Sequence, residues 1–62
     1  MIILTVLDFE DGLVYQYEIS TEGWNPDTES CEEFLTKQGH IVEECKWMLH
    51  SDPRVFTETI EL

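Results

Sequence analysis

The sequence predicts an α+β protein: one helix packed on an antiparallel sheet, in the order β-β-α-β-β. Three observations lead there. Two β-prone runs flank an Asp11-Gly12 turn signal near the start of the chain. A single stretch of helical periodicity stops at Gly39. Two more β-prone runs follow, divided by Ser51-Asp52-Pro53. A lone helix among sequential strands is the pattern of a two-layer α+β domain. At 62 residues the chain is one domain, 1–62. A domain this small buries only about 60% of its unfolded surface, and it gains from a staple, a metal or association.

"IILTVLDF", residues 2–9, is the first strand. Asp-Gly between β-prone runs signals a two-residue type I′ hairpin. That turn pairs Asp8 with Tyr15, Val6 with Tyr17 and Leu4 with Ile19. "LVYQYEI", residues 13–19, completes the hairpin. Ile2, Leu4, Val6, Tyr15, Tyr17 and Ile19 then share a core face. Ile3, Thr5, Leu7, Phe9, Val14, Gln16 and Glu18 make a second face, too apolar to be simply solvated. After a connector with Gly23 and Pro26, helix entry falls near Asn25-Pro26 or at Ser30, where Ser30-x-x-Glu33 fits a capping box. Cys31, Phe34, Leu35 and Gln38 share one helical face, and Gly39 is the natural stop. In "HIVEECKWML" the set Ile41, Glu43, Cys45, Trp47 and Leu49 reads as the packed side of a third strand. "RVFTETIEL", residues 54–62, reads as a fourth.

The dominant fact is charge. Fourteen Asp and Glu face three Lys and Arg, a formal net charge of −11. Self-repulsion on this scale opposes compaction, and solubility needs only a net charge of magnitude about 2–8 in a small domain. Direct nucleic-acid binding is excluded, because it depends on Lys and Arg neutralising phosphates. A basic partner surface is favoured instead. No apolar run approaches the ~20 residues of a membrane span. "MIILTVL" lacks a basic n-region and a small-residue cleavage site, so it reads as a strand and not as a secretion signal. Two cysteines, Cys31 and Cys45, are too few for a disulfide scaffold. They read as free, buried thiols of a reducing cytoplasm.

Enzyme chemistry finds no support. There is no Gly-rich phosphate loop. His40 and His50, placed toward opposite ends of the third strand, read as polar strand-end residues. With Cys31 and Cys45 they match no zinc spacing, so neither metal nor cofactor is expected. Carboxylate pairs such as Glu32-Glu33 or Glu43-Glu44 need a shaped cleft to act as acid and base.

The acidic residues are more informative as a set. Alternate strand residues lie about 6.6 Å apart. With the carboxylates of a helix start they can form a line of discrete negative charges. DNA presents phosphates every ~3.4 Å of axis per strand. A rigid line of carboxylates can therefore occupy a DNA-binding cleft without base readout. The candidates are Asp8, Glu10, Asp11 and Glu18 on the hairpin, and Asp27, Glu29, Glu32 and Glu33 around the helix start. Each is also the kind of residue that simply solvates a surface. Phe34, beside Glu32-Glu33, is either a core residue on Tyr15 or Tyr17, or an exposed anchor next to an electrostatic guide. Of the two tryptophans, Trp24 in its polar loop is the better candidate for exposure.

The hairpin "LTVLDFEDGLVYQYEI" followed by a helix with "EFLTKQG" resembles the small acidic dimeric phage inhibitors of uracil-DNA glycosylase. The shared motifs are an acidic turn ending in Gly (Asp11-Gly12), paired tyrosines (Tyr15-x-Tyr17), an acidic-Phe pair (Glu33-Phe34) and a Gly five residues after the Phe (Gly39). The resemblance spans roughly residues 4 to 46. It implies a homodimer whose paired helices form an apolar pocket, which captures a leucine of the glycosylase while carboxylates imitate phosphates. Phe34 would stand at that pocket, with Glu32 and Glu33 beside it and Tyr15 and Tyr17 in the hairpin. The chain departs from the family at Gln38, where those helices carry an aromatic, and in its additional residues 54–62.

The expectation is therefore a non-enzymatic DNA mimic acting in the host cytoplasm. It would bind a basic DNA-binding protein through Glu29, Glu32, Glu33, Phe34, Asp8, Glu10, Asp11 and Glu18, with uracil-DNA glycosylase the favoured target. The alternatives are another host target (a restriction enzyme, a CRISPR effector or a nucleoid protein), or a small acidic adaptor with no inhibitory role.

Overall fold

The computed structural model describes residues 2–20 and 22–61. Its elements are β1 (Ile2–Asp8), β2 (Leu13–Ile19), α1 (Thr28–Lys37), a single 3-10 turn (Val42–Glu44) and β3 (Cys45–His50). The strands form one antiparallel sheet in the order β2-β1-β3. The fold is α+β, with one helix against a three-stranded sheet. The element order is β-β-α-β, and the expected fourth strand is not formed among the described residues.

The two faces of the hairpin follow the period-2 reading, but its turn differs. Val6 lies opposite Tyr15, Leu4 opposite Tyr17 and Asp8 opposite Leu13. The loop is thus four residues, Phe9 to Gly12. Asp8 explains it: one oxygen of its carboxylate accepts the backbone N–H groups of Glu10 at 3.1 Å and Asp11 at 3.0 Å. A type I′ turn requires positive φ at both central residues. Here Gly12 adopts φ 68°, while no non-glycine residue has positive φ among the described residues. The pairing slips by two positions, so every side chain keeps its predicted face.

α1 starts at the earlier of the two expected entries. Asp27 is its N-cap and accepts the Ser30 N–H at 2.8 Å. Ser30 is therefore inside the first turn and is not the cap. The stop at Gly39 is as expected. Gly39 has φ 93°, its N–H donates to the Thr36 carbonyl, and the N–H of His40 donates to that of Leu35, each at 3.0 Å. This is the Schellman pattern, which needs a left-handed residue at that position.

Cys45, Trp47 and Leu49 face α1, opposite Asp8, Val6 and Leu4 of β1. The 3-10 turn breaks the alternation before them. Val42 consequently packs on the core and Ile41 is exposed, the reverse of the expectation for these two. Leu4, Val6, Ile19, Leu35 and Cys45 form the core between helix and sheet, and Tyr15, Tyr17, Trp24, Phe34, Trp47 and Leu49 pack around it.

Residues 52–61 carry no regular structure. The Asp52 carboxylate accepts the Arg54 backbone N–H at 3.0 Å and its guanidinium at 2.6 Å just after β3. A β-prone segment becomes a strand only where it finds cross-strand neighbours, and this one finds none within its own chain. Leu62, also assigned to that strand, lies outside the described residues.

Candidate functional site

α1 divides its residues cleanly. Cys31 and Leu35 face the sheet with 0% exposure, and Phe34 lies half-buried beside them. Glu29, Glu32 and Glu33 are exposed on the outer surface. Residues three and four apart on a helix stand about 5–6 Å apart at Cβ, so Glu29 is a near neighbour of both Glu32 and Glu33 on the helix surface. Glu33 also pairs with Lys37 at 3.3 Å, both side chains being largely exposed. Such a pair contributes little to stability.

Beside Glu33 lies a depression of about 210 Å³ lined by Trp24, Ser30, Glu33, Phe34 and Lys37. Phe34 is half-buried, between the two expectations of a core and an exposed residue. One edge packs on Tyr17, with ring centroids 5.2 Å apart at 78°, and the residue also forms part of the depression wall. Trp24 closes the other side. Its role was visible only as a tryptophan in a polar loop. The volume is below the roughly 300–1,000 Å³ of drug-sized ligand pockets, and it suits one side chain of a partner better than a cofactor.

The remaining predicted site residues separate. Glu10 and Asp11 project from the hairpin loop. Asp11 accepts the Tyr15 hydroxyl at 2.6 Å, and that bond pushes the phenol up to about 12. Glu18 lies on the face of β2 turned away from the helix, in register with Ile3. It cannot join a line with the helix carboxylates. Asp8 is removed from the surface altogether, at 6% exposure. The single continuous ridge expected from the sequence is therefore two patches, one at the loop and one on α1.

Asp8 instead anchors a buried polar chain that the sequence reading missed. His40 is 7% exposed and stands just past the helix stop, not on a strand. Its Nδ1 meets the Asp8 carboxylate at 2.6 Å and its Nε2 meets the Tyr17 hydroxyl at 2.6 Å. The arrangement that satisfies every atom has Nδ1–H donating to Asp8 and Nε2 accepting from Tyr17. The Tyr15 ring packs edgewise on the imidazole at 4.7 Å. The only sequence trace of this chain was an aspartate four residues ahead of a turn glycine, which marks a side chain folded back onto its own loop.

The hydrogen bond from His40 holds the Asp8 carboxyl below its usual value, helped by the Asp11 and Glu10 N–H groups. Burial, followed by the nearby Asp8 charge, pushes the Cys45 thiol up. Donor atoms of Asp8, His40 and Cys45 lie within 4.8 Å of one another. Among the described residues no buried side-chain polar atom lacks a partner. With its oxygens and nitrogens already satisfied and its thiol kept protonated, the cluster has the chemistry of a latch between loop and helix end.

The latch sets a pH dependence. A carboxyl whose value is depressed on folding adds stability above its unfolded value, about 3.9, and loses that contribution as pH falls through the folded value. Wild type minus Asp8→Asn isolates this effect from the general relief of carboxylate repulsion in acid. Their difference in urea midpoint, taken from its value at pH 5, should shrink steadily below about pH 4. A difference that stays flat down to pH 3 would show that Asp8 is not held ionised by the fold.

Cys31 and Cys45 are both buried and free. Among the described residues no helix is long and apolar enough to cross a membrane. No family model, curated protein or solved structure matches this chain.

Proposed function

We propose that this protein is a DNA-mimicking inhibitor that blocks the DNA-binding cleft of a host protein in the cytoplasm, with uracil-DNA glycosylase the favoured target. The observation that carries the reading is the pairing of two features on one helix. Glu29, Glu32 and Glu33 are exposed within one turn and a half of helix, and a depression walled by the aromatic rings of Phe34 and Trp24, and lined also by Ser30, Glu33 and Lys37, opens beside Glu33. The motif resemblance supports the choice of target.

The mechanism is competition. The net charge of −11 draws the protein to a positively charged cleft and speeds encounter. The helix carboxylates take phosphate subsites, and Glu10 and Asp11 add a second contact patch. The depression takes one apolar side chain of the target, which supplies the specificity that charge alone lacks. No bond is made or broken, and no cofactor takes part.

A titration of uracil excision tests this directly. Added protein should stop excision at near-stoichiometric ratios in low salt. Inhibition should weaken near 1 M salt, where the screening length falls to about 3 Å. Undiminished excision at a large excess of inhibitor rejects the glycosylase as target. If the protein also fails to displace other DNA-binding proteins from immobilised DNA, the mimic reading fails with it, and the acidic adaptor remains.

A further inference from the structure

The sheet face turned away from α1 carries an exposed apolar strip, Leu7, Val14 and Met48, and little net charge in a molecule of net charge −11. Its cross-strand rows are Glu18–Ile3–His50, Gln16–Thr5–Met48 and Val14–Leu7–Lys46. Glu18 and Lys46 are its one acid and one fixed base. Leu7, Val14 and Met48 are 42%, 59% and 57% exposed. At the other end of the same face Ile3 is only 2% exposed.

The chain beyond β3 begins to turn onto this face and then leaves it. The carbonyl of Asp52 accepts from His50 Nδ1 at 2.8 Å. Val55 borders a groove of about 320 Å³ together with Leu7, Val14 and Met48. Further on, Phe56 and Ile60 are 87% and 69% exposed. The molecule measures 46 × 24 × 14 Å, with a radius of gyration of 13.0 Å. A compact chain of this length has a radius of about 11 Å. An arm bearing Val55, Phe56 and Ile60 and a face bearing an apolar strip thus belong to one chain, and the arm does not cover the face.

We infer that this face and the arm, residues 55–61, form the seam between two copies of the chain, each arm crossing onto the exposed sheet face of the other. Charge selects the occupant. Two strongly acidic molecules repel almost everywhere, and this face is where they can approach closely. A basic partner would be drawn to the carboxylates of α1 and the hairpin loop. Arg54 is already neutralised by Asp52 at 2.6 Å, so the root of the arm is neutral; the arm itself carries Glu58 and Glu61, and the fixed base on the facing surface is Lys46. Association also supplies the apolar burial that a domain this small lacks. The seam differs from the helix-to-helix pairing that the family resemblance implies. It leaves α1 and its depression outward on both copies, and it does not rest on the proposed inhibition.

The test is the mass of the full chain by sedimentation equilibrium over a range of protein concentrations. Wild type should show the mass of two 7.3 kDa chains, with a melting temperature that rises with concentration. Phe56→Glu on the arm and Met48→Glu on the face should each give the mass of one chain. Both side chains are exposed in the single chain, so far-UV circular dichroism should be unchanged. A wild type of single-chain mass throughout overturns the inference. So does a dimer that survives either substitution.

Discussion

Chains carrying Leu35→Ala are expected to be largely unfolded at 25 °C. Leu35 has 0% exposure and sits in the core with Leu4, Val6, Ile19 and Cys45. Removing a buried leucine side chain costs about 2–5 kcal/mol, because transfer energy and a residual cavity add. At roughly 0.05–0.15 kcal/mol per residue, a chain of 62 residues has about 3–9 kcal/mol in all, and domains this small tend to the low end. The cavity also cannot close easily. Leu35 belongs to the helix turn whose carbonyl accepts the His40 N–H at 3.0 Å, so moving the helix inward disturbs the Schellman stop and the Asp8 latch. Urea unfolding followed by circular dichroism measures the loss. A shift of less than about 1 kcal/mol would mean the helix is not seated as described.

The second large effect is on binding. Replacing Glu32, Glu33 and Phe34 together with alanine should abolish inhibition while the chain still folds. Glu32 and Glu33 are exposed, and the Glu33–Lys37 pair is open to solvent, so their loss should change stability by less than about 0.5 kcal/mol. Phe34 is the costly member, because it packs on the core and on Tyr17; the aromatic pair is worth about 0.5–1.5 kcal/mol beyond the loss of its half-burial, so circular dichroism must first show that the triple variant is folded. At the target, losing one buried aromatic anchor commonly costs 2 kcal/mol or more, about a thirtyfold weakening, and losing two carboxylates slows encounter as well. Glu32→Gln/Glu33→Gln, with Phe34 kept, isolates the electrostatic part. That variant should bind more slowly and respond less steeply to salt. Full inhibition by the triple variant would place the contact surface elsewhere on the molecule.

Periodicity read the fold well where one rule governed each residue. Leu4 and Val6 alternate inward, Cys31 and Leu35 recur at helical spacing, and Gly39 ends the helix, all as expected. Three features escaped that reading. The Asp8 carboxylate captured its own loop and lengthened the turn. A 3-10 turn at Val42–Glu44 shifted the phase of the residues before β3, exchanging Ile41 and Val42. Residues 54–61, whose composition alone reads as a strand, found no strand to pair with among the described residues. The site was legible in its helical half, since Glu29, Glu32, Glu33 and Phe34 are local neighbours. Trp24 reaches the same depression only through the path of the connector, and the partnership of Asp8 with His40 joins residues that no sequence window contains.

The central position of β1 governs how the molecule can assemble. This strand precedes both of its neighbours in the chain, yet it must be flanked by them. On a ribosome it meets β2 almost at once, but its other side stays bare until His50 has been made. Until then the nascent hairpin offers an unguarded row of amide and carbonyl groups, the usual template for mispairing between chains.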